Sequence, residues 1–203
     1  MMPILILAAG AASRMRGTDK LLLHVDGAPL LRRMAALALT QGADVRITLP
    51  AAPHPRYTVL EGLPVQTIAV PDAAQGISAS LRRGITSLGP EVTHVMLLLA
   101  DLPDLTAQDL RQVRQAVAAH PDASVWRAAT PEGKGGHPMI IARQLFDAFA
   151  TRTGDSGGHS VLQGERVHLV TLADARARAD LDTPEAWAAW RAARAALTSA
   201  DPR

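Results

Sequence analysis

Arg14, Arg16 and Lys20 stand within seven residues of one another, in a stretch that also carries Gly10, Ala11, Ala12 and Gly17. The apolar run Leu5-Ile6-Leu7-Ala8-Ala9 leads into it. A strand that empties into small residues leaves backbone N–H groups uncovered, and cations beside them turn the loop into an anion cradle. Two familiar phosphate loops are excluded by spacing: Lys20 is followed by Leu21 rather than Ser or Thr, and no G-x-G-x-x-G is present. What remains is a grip of another kind for a nucleotide polyphosphate, with Arg14 and Lys20 as its phosphate contacts.

Asp101 follows the apolar run over residues 96–100 without a break. A carboxylate at the end of a buried strand suits a hard divalent cation. Asp180 and Asp182 lead into Thr183-Pro184, a helix start with Thr as N-cap and Pro at the first helical position. Acids there also suit the positive end of the helix dipole. Ser80 lies in a Gly-Ser helix start and His137 in Gly136-His137-Pro138, which by itself also reads as a plain turn.

These residues need elements to carry them. Residues 3–8 read as a strand, continuously apolar as parallel strands buried on both faces are, rather than as a signal segment, because no basic residues precede them. Residues 21–25 read as a short strand closed by Asp26-Gly27, and a helix runs from Pro29 to Gln41. Strands follow at 44–49 and 65–70, with irregular chain between Pro50 and Pro55. A helix over 76–88 and a strand over 94–99 come next. Thr106 and Asp109 form a capping box for a helix ending near His120. Further strands fall at 123–129, 139–142 and 167–172, with a glycine-rich connection over 133–136 and helical residues over 143–151. The last helix starts at Pro184, with Trp187, Trp190 and Leu197 on one stripe. Arg194 shares that stripe and has to lay its stem on apolar surface. Alternating strands and helices imply an α/β/α arrangement on a mostly parallel sheet, in one domain spanning residues 1–203. Ligands of such sheets bind beyond the carboxyl ends of the strands, where the loop at 8–20 and Asp101 both fall.

The run from Leu7 to Lys20 resembles the signature loop of the nucleotidyltransferases that attach a nucleotide to molybdenum cofactor. Leu7-Ala8-Ala9-Gly10, Arg14-Met15, Gly17 and Asp19-Lys20 carry the match. The resemblance implies a Rossmann-like nucleotidyltransferase fold. It also implies nucleotide contacts from Leu7, Ala8, Ala9, Gly10, Arg14, Lys20 and Ser80, with Arg14 and Lys20 serving catalysis. Mg²⁺ would be held by Asp101 and Asp182, the latter in a segment like the family's Asp-x-Asp-Thr-Pro. His137 would lie on the acceptor side. The implied partners are a nucleoside triphosphate, CTP or GTP, a small phosphorylated acceptor such as molybdopterin, and a molybdoenzyme. Ala9, where the guanylyl branch tends to have glycine, favours CTP. Three positions depart from the family pattern: Arg16 stands at a glycine, Gln75 at an Asn, and His159 at the Arg of a Gly-Asp-x-Gly-Ala-Arg motif.

Composition narrows the classes. The 203 residues contain no Cys, which removes disulfides, thiolate metal sites and cysteine nucleophiles and suits a cytoplasmic enzyme. The net charge is +2, and one Tyr, two Phe and three Trp leave little aromatic surface for stacking bases, so nucleic acid is not an expected partner. No apolar run is long enough to span a membrane. The expected activity is Mg²⁺-dependent nucleotidyl transfer with release of pyrophosphate. Two alternatives remain open at this point: an accessory protein that carries the cofactor without transferring a nucleotide, and a nicotinamide-dependent oxidoreductase on the same layout.

Overall fold

The computed structural model describes residues 2–11, 13–151 and 158–200. Residues 154–157, which open the segment compared with the Gly-Asp-x-Gly-Ala-Arg motif, and the His159 side chain lie outside the described part. The chain begins with β1 (Ile4–Leu7), a two-residue hairpin β2 (His24–Val25) and β3 (Ala28–Pro29), α1 (Leu30–Leu39) and β4 (Val45–Pro50). It continues through α2 (Pro55–Thr58), β5 (Gln66–Val70), α3 (Ile77–Thr86), β6 (His94–Leu99) and α4 (Ala107–Ala119). Then come β7 (Val125–Ala129), β8 (Gly135–Ala142), α5 (Phe146–Thr151), β9 (Val167–Thr171) and α6 (Pro184–Ala200).

Seven strands form one sheet in the order β5-β4-β1-β6-β8-β7-β9. β1 pairs parallel with β4 and β6, β4 with β5, and β7 with β9. Only β8 runs antiparallel, wedged between β6 and β7. β1 is buried along its whole length, and its two-residue side-chain period divides it between two cores. Ile4 and Ile6 pack with Leu30, Leu31 and Met34 of α1 and Leu110 and Val113 of α4, whereas Leu5 and Leu7 pack with Leu81 and Ile85 of α3 and Phe146 and Phe149 of α5. That division makes the three layers, and it explains why β1 and β6 read as unbroken apolar runs.

The caps lie where the residue types put them. Thr106 and Asp109 close their reciprocal box at the start of α4, with Asp109 N to Thr106 Oγ1 at 3.3 Å and Thr106 N to Asp109 Oδ2 at 2.8 Å. Thr183 Oγ1 accepts from Ala186 N at 3.1 Å at the start of α6. Arg194 lies 5.1 Å above the Trp190 ring and reaches out to Asp104 and Asp26, as its position on the apolar stripe required.

The structure revises two local readings. Residues 20–22 form a 3-10 turn instead of a strand, because the Asp19 side chain accepts from Leu21 N at 3.0 Å and caps it. Only His24–Val25 remains extended, paired to Ala28–Pro29 across Asp26 and Gly27, both at positive φ. The second revision concerns β8, which starts at Gly135 rather than at Met139. Of the glycine run only Gly133 turns the chain, at φ +77°. Gly136 is extended and lacks a side chain for a different reason: a Cβ there would sit 2.0 Å from the carbonyl oxygen of Ala177.

Candidate active site at the carboxyl edge of the sheet

Leu7 and Leu99 are register partners at the ends of β1 and β6, so the chain leaves both strands side by side. One exit becomes the Ala8–Lys20 loop and the other delivers Asp101. The segment before α6 reaches the same edge, where Leu181 N donates to Asp101 O at 3.3 Å. Three regions far apart in sequence thus meet at one place.

Lys20 is the centre of that meeting. Its Nζ lies 2.5 Å from Asp101 Oδ2 and 2.5 Å from Asp182 Oδ1. Arg14 Nη1 binds the other oxygen of Asp182 at 2.6 Å, from a largely exposed position. Burial works to deprotonate Lys20, and it is the largest single influence on the group. Asp101 and Asp182 together outweigh it and hold the ammonium above its ordinary pKa. For Asp182 burial again acts first, upward, and is overcome by Lys20 and Arg14, which hold the carboxyl below its ordinary value. Asp180 shifts the other way: burial raises it, and the neighbouring charges of Asp182 and Asp101 add to the rise.

Asp101 Oδ1 is buried and has no hydrogen-bond partner. A carboxylate oxygen in that state is a hard donor awaiting a cation, so the acids fit a small divalent ion such as Mg²⁺. Among the described residues no three His, Cys, Asp or Glu side chains come close enough together to hold an ion alone. Mg²⁺ usually takes one or two carboxylates and completes its shell with water and phosphate oxygens, which matches Asp101 and Asp182 beside an anion cradle.

A cavity of about 290 Å³ opens here, lined by Ala9, Gly10, Lys20, Ser80, Asp101 and Asp182 among others. Leu7 and Ala8 line it as well. A second cavity, of about 470 Å³, shares Ala9, Gly10 and Ala11 with the first and extends to Pro50, His54 and Ala73. The structure therefore brings together Leu7, Ala8, Ala9, Gly10, Arg14, Lys20, Ser80, Asp101 and Asp182. His137 lies one cavity away, its Nδ1 3.3 Å from Leu97 O. Arg16 stands apart, bound to the exposed Glu185 at 2.7 Å. Its φ of +51° is left-handed and explains why glycine suits that position.

Sequence reasoning missed Arg56. It is buried, and its Nη1 donates to Ala8 O at 2.6 Å and Gly10 O at 3.0 Å. Its Nε and Nη2 donate to the two oxygens of Asp19 at 2.8 and 2.9 Å. Both ends of the loop are fastened to this one guanidinium. No local pattern announces it, because its partners are dozens of residues away.

The MobA-like NTP transferase domain matches residues 4–175 of the chain. The chain belongs to that family. Its mostly parallel sheet is that of the nucleotidyltransferase fold. This transferase is 33% identical over 138 residues to a protein named probable molybdenum cofactor guanylyltransferase from Synechococcus elongatus, covering 66% of the chain and 68% of the relative. It is 28% identical to nicotine blue oxidoreductase of Paenarthrobacter nicotinovorans, over 89% of the chain and 91% of the relative. Its fold superposes on the crystal structure of the Rv0371c homologue from Mycobacterium sp. strain JC1 with a TM-score of 0.81, at 26% identity, over 96% and 98% of the two chains. Among the described residues no helix is long and apolar enough to cross a membrane.

Proposed function

We propose that this transferase moves a nucleoside monophosphate from a nucleoside triphosphate to a phosphorylated acceptor of the molybdopterin kind, with Mg²⁺ bound at Asp101 and Asp182. The observation that carries the reading is the Lys20 ammonium held between two carboxylates at the mouth of the loop. The triphosphate lies along Ala8–Gly10 with Arg14 at its outer phosphates, and the nucleoside occupies the cavity toward Pro50 and His54. An acceptor phosphate oxygen attacks the α-phosphorus in line. The new P–O bond forms as the α–β bridging bond breaks, and pyrophosphate departs with that electron pair. Lys20 stabilises charge on the α-phosphoryl oxygens, so the work is positioning and electrostatics. A phosphomonoester is largely dianionic near neutrality, its second pKa being about 6, and needs no general base.

Mg²⁺, when bound, neutralises phosphate charge. The chain's own balance supports that need. Asp101, Asp180 and Asp182 face Lys20 and Arg14, leaving more acid than base where an anionic substrate must enter.

Two bases are in contention, each on its own observation: GTP from the name of the Synechococcus relative, CTP from Ala9. The deciding assay incubates the purified chain with Mg²⁺, molybdopterin and CTP, GTP or ATP, and follows pyrophosphate. Release with one base in preference supports transfer and names the nucleotide. Binding without release supports a cofactor carrier instead. The likeness to nicotine blue oxidoreductase motivates one further arm, thermal stability with NAD(P)H, where a flat response removes the oxidoreductase reading.

A further inference from the structure

Next to the Lys20 centre lies a smaller cavity of about 240 Å³, which shares Leu99 and Asp180 with the nucleotide cavity. Its lining includes two arginines, Arg127 of β7 and Arg178, together with His137. Neither arginine has an acid within salt-bridge reach among the described residues. Arg127 Nε donates to Gly136 O at 3.2 Å, and Arg178 Nη1 donates to Gly135 O at 3.0 Å. Those two carbonyls orient the guanidiniums without neutralising them, and most of the N–H groups are left over.

The arrangement is built rather than incidental. Arg127 interrupts the apolar strand Val125-Trp126-Arg127-Ala128-Ala129, in a half-buried position where an unpaired cation is costly. Burial, and then the charge of Arg178, depress its pKa. Like charges are tolerated side by side where an anion is to come between them. Gly135 and Gly136 make room for this: a Cβ on Gly135 would lie 2.7 Å from Arg127 Nε, and one on Gly136 would strike the Ala177 carbonyl. The glycines therefore serve the arginines, not a phosphate loop of their own. His137 adds no positive charge, since burial pushes it down to about 4 and it is neutral at pH 7.

We propose that Arg127 and Arg178 bind the dianionic phosphomonoester of the acceptor and present it, past Leu99 and Asp180, to the α-phosphorus. This rests on the transferase reading above and adds to it the residues that hold the acceptor's phosphate. A planar guanidinium pair suits the three oxygens of a phosphomonoester through parallel N–H···O bonds.

The test uses inorganic phosphate as the probe, titrated calorimetrically into the chain with Mg²⁺ and the α,β-methylene analogues of CTP and GTP present. Wild type should bind phosphate, and Arg127→Gln and Arg178→Gln should each weaken it roughly tenfold or more. In the transfer assay the same two variants should raise the acceptor KM by a similar factor, with the triphosphate KM little changed. Phosphate binding absent from wild type, or unchanged in both arginine variants, overturns the proposal. Should phosphate bind as expected while no triphosphate yields pyrophosphate with molybdopterin, the proposed reaction falls and the anion site stands. Because Arg178 is exposed, its variant keeps the test valid if Arg127→Gln fails to fold.

Discussion

Arg56 and Asp19 meet through two parallel hydrogen bonds of 2.8 and 2.9 Å, and the same guanidinium holds the carbonyls of Ala8 and Gly10. The loop that would carry the triphosphate is therefore tied at entry and exit to a residue outside it. Preorganised N–H groups are useful to a phosphate only if the loop does not have to be ordered on binding. Arg56→Ala removes the counter-charge of the part-buried Asp19 carboxylate and the side-chain donor to two carbonyls, a loss bounded above by the roughly 3–5 kcal/mol of a fully buried pair. We expect a lower melting temperature and triphosphate binding weakened roughly tenfold or more. Arg56→Lys should not restore either, since one ammonium cannot span both oxygens and both carbonyls. Wild-type stability and affinity in Arg56→Ala, measured by thermal melts and calorimetry, would remove its role as the fastener.

Lys20→Ala and Asp101→Ala should each lower turnover by well over about tenfold while leaving the circular dichroism spectrum unchanged. Both side chains stand at the edge of the sheet and not in either core, so the fold does not depend on them. Near-normal turnover in either folded variant would refute its assigned part.

The depressed pKa of His137 makes a claim about stability. Unfolded, the imidazole takes its proton near 6.5; folded, it does so only at about 4. Between those values the unfolded chain binds more protons, so stability rises with pH across that window and is lost as pH falls through it. The shift allows up to about 3 kcal/mol from this group. In His137→Gln the urea midpoint should change less between pH 4 and 6.5 than in wild type. Equal slopes would mean that the ring is not shielded as described.

Gly136→Ala and Gly133→Ala separate two uses of glycine within one run. At Gly136 the added carbon meets backbone, 2.0 Å from Ala177 O, so β8 or the segment around residue 177 must shift. At Gly133 nothing lies within 4 Å, and only the φ of +77° is strained. The first variant should lose several times the roughly 1 kcal/mol expected of the second, as read from urea unfolding. Equal losses would contradict the close approach.

Much of this protein could be read along the chain. The unbroken apolar runs of β1 and β6 announce strands covered on both faces, because alternate side chains must each find a core. Thr106, Asp109, Thr183 and Pro184 announce helix starts, because a cap bonds within three residues of itself. The basic, small-residue loop between Ala8 and Lys20 raises the expectation of an anion cradle from equally local features. The misreading at 21–25 is local too: three leucines suggest a strand, but the single carboxylate of Asp19 turns them.

What needed the tertiary structure is everything that joins distant segments. Lys20 meets Asp101 and Asp182 across separations of 81 and 162 residues. Arg56 closes the loop from 37 and 48 residues away, and Arg127 of β7 and Arg178, beyond β9, line one cavity. Periodicity tells a strand which face to bury; it carries no information on which strand lies next to it. The order of the sheet, with Leu7 beside Leu99, is settled by packing both cores at once, and that order alone turns scattered charges into a site.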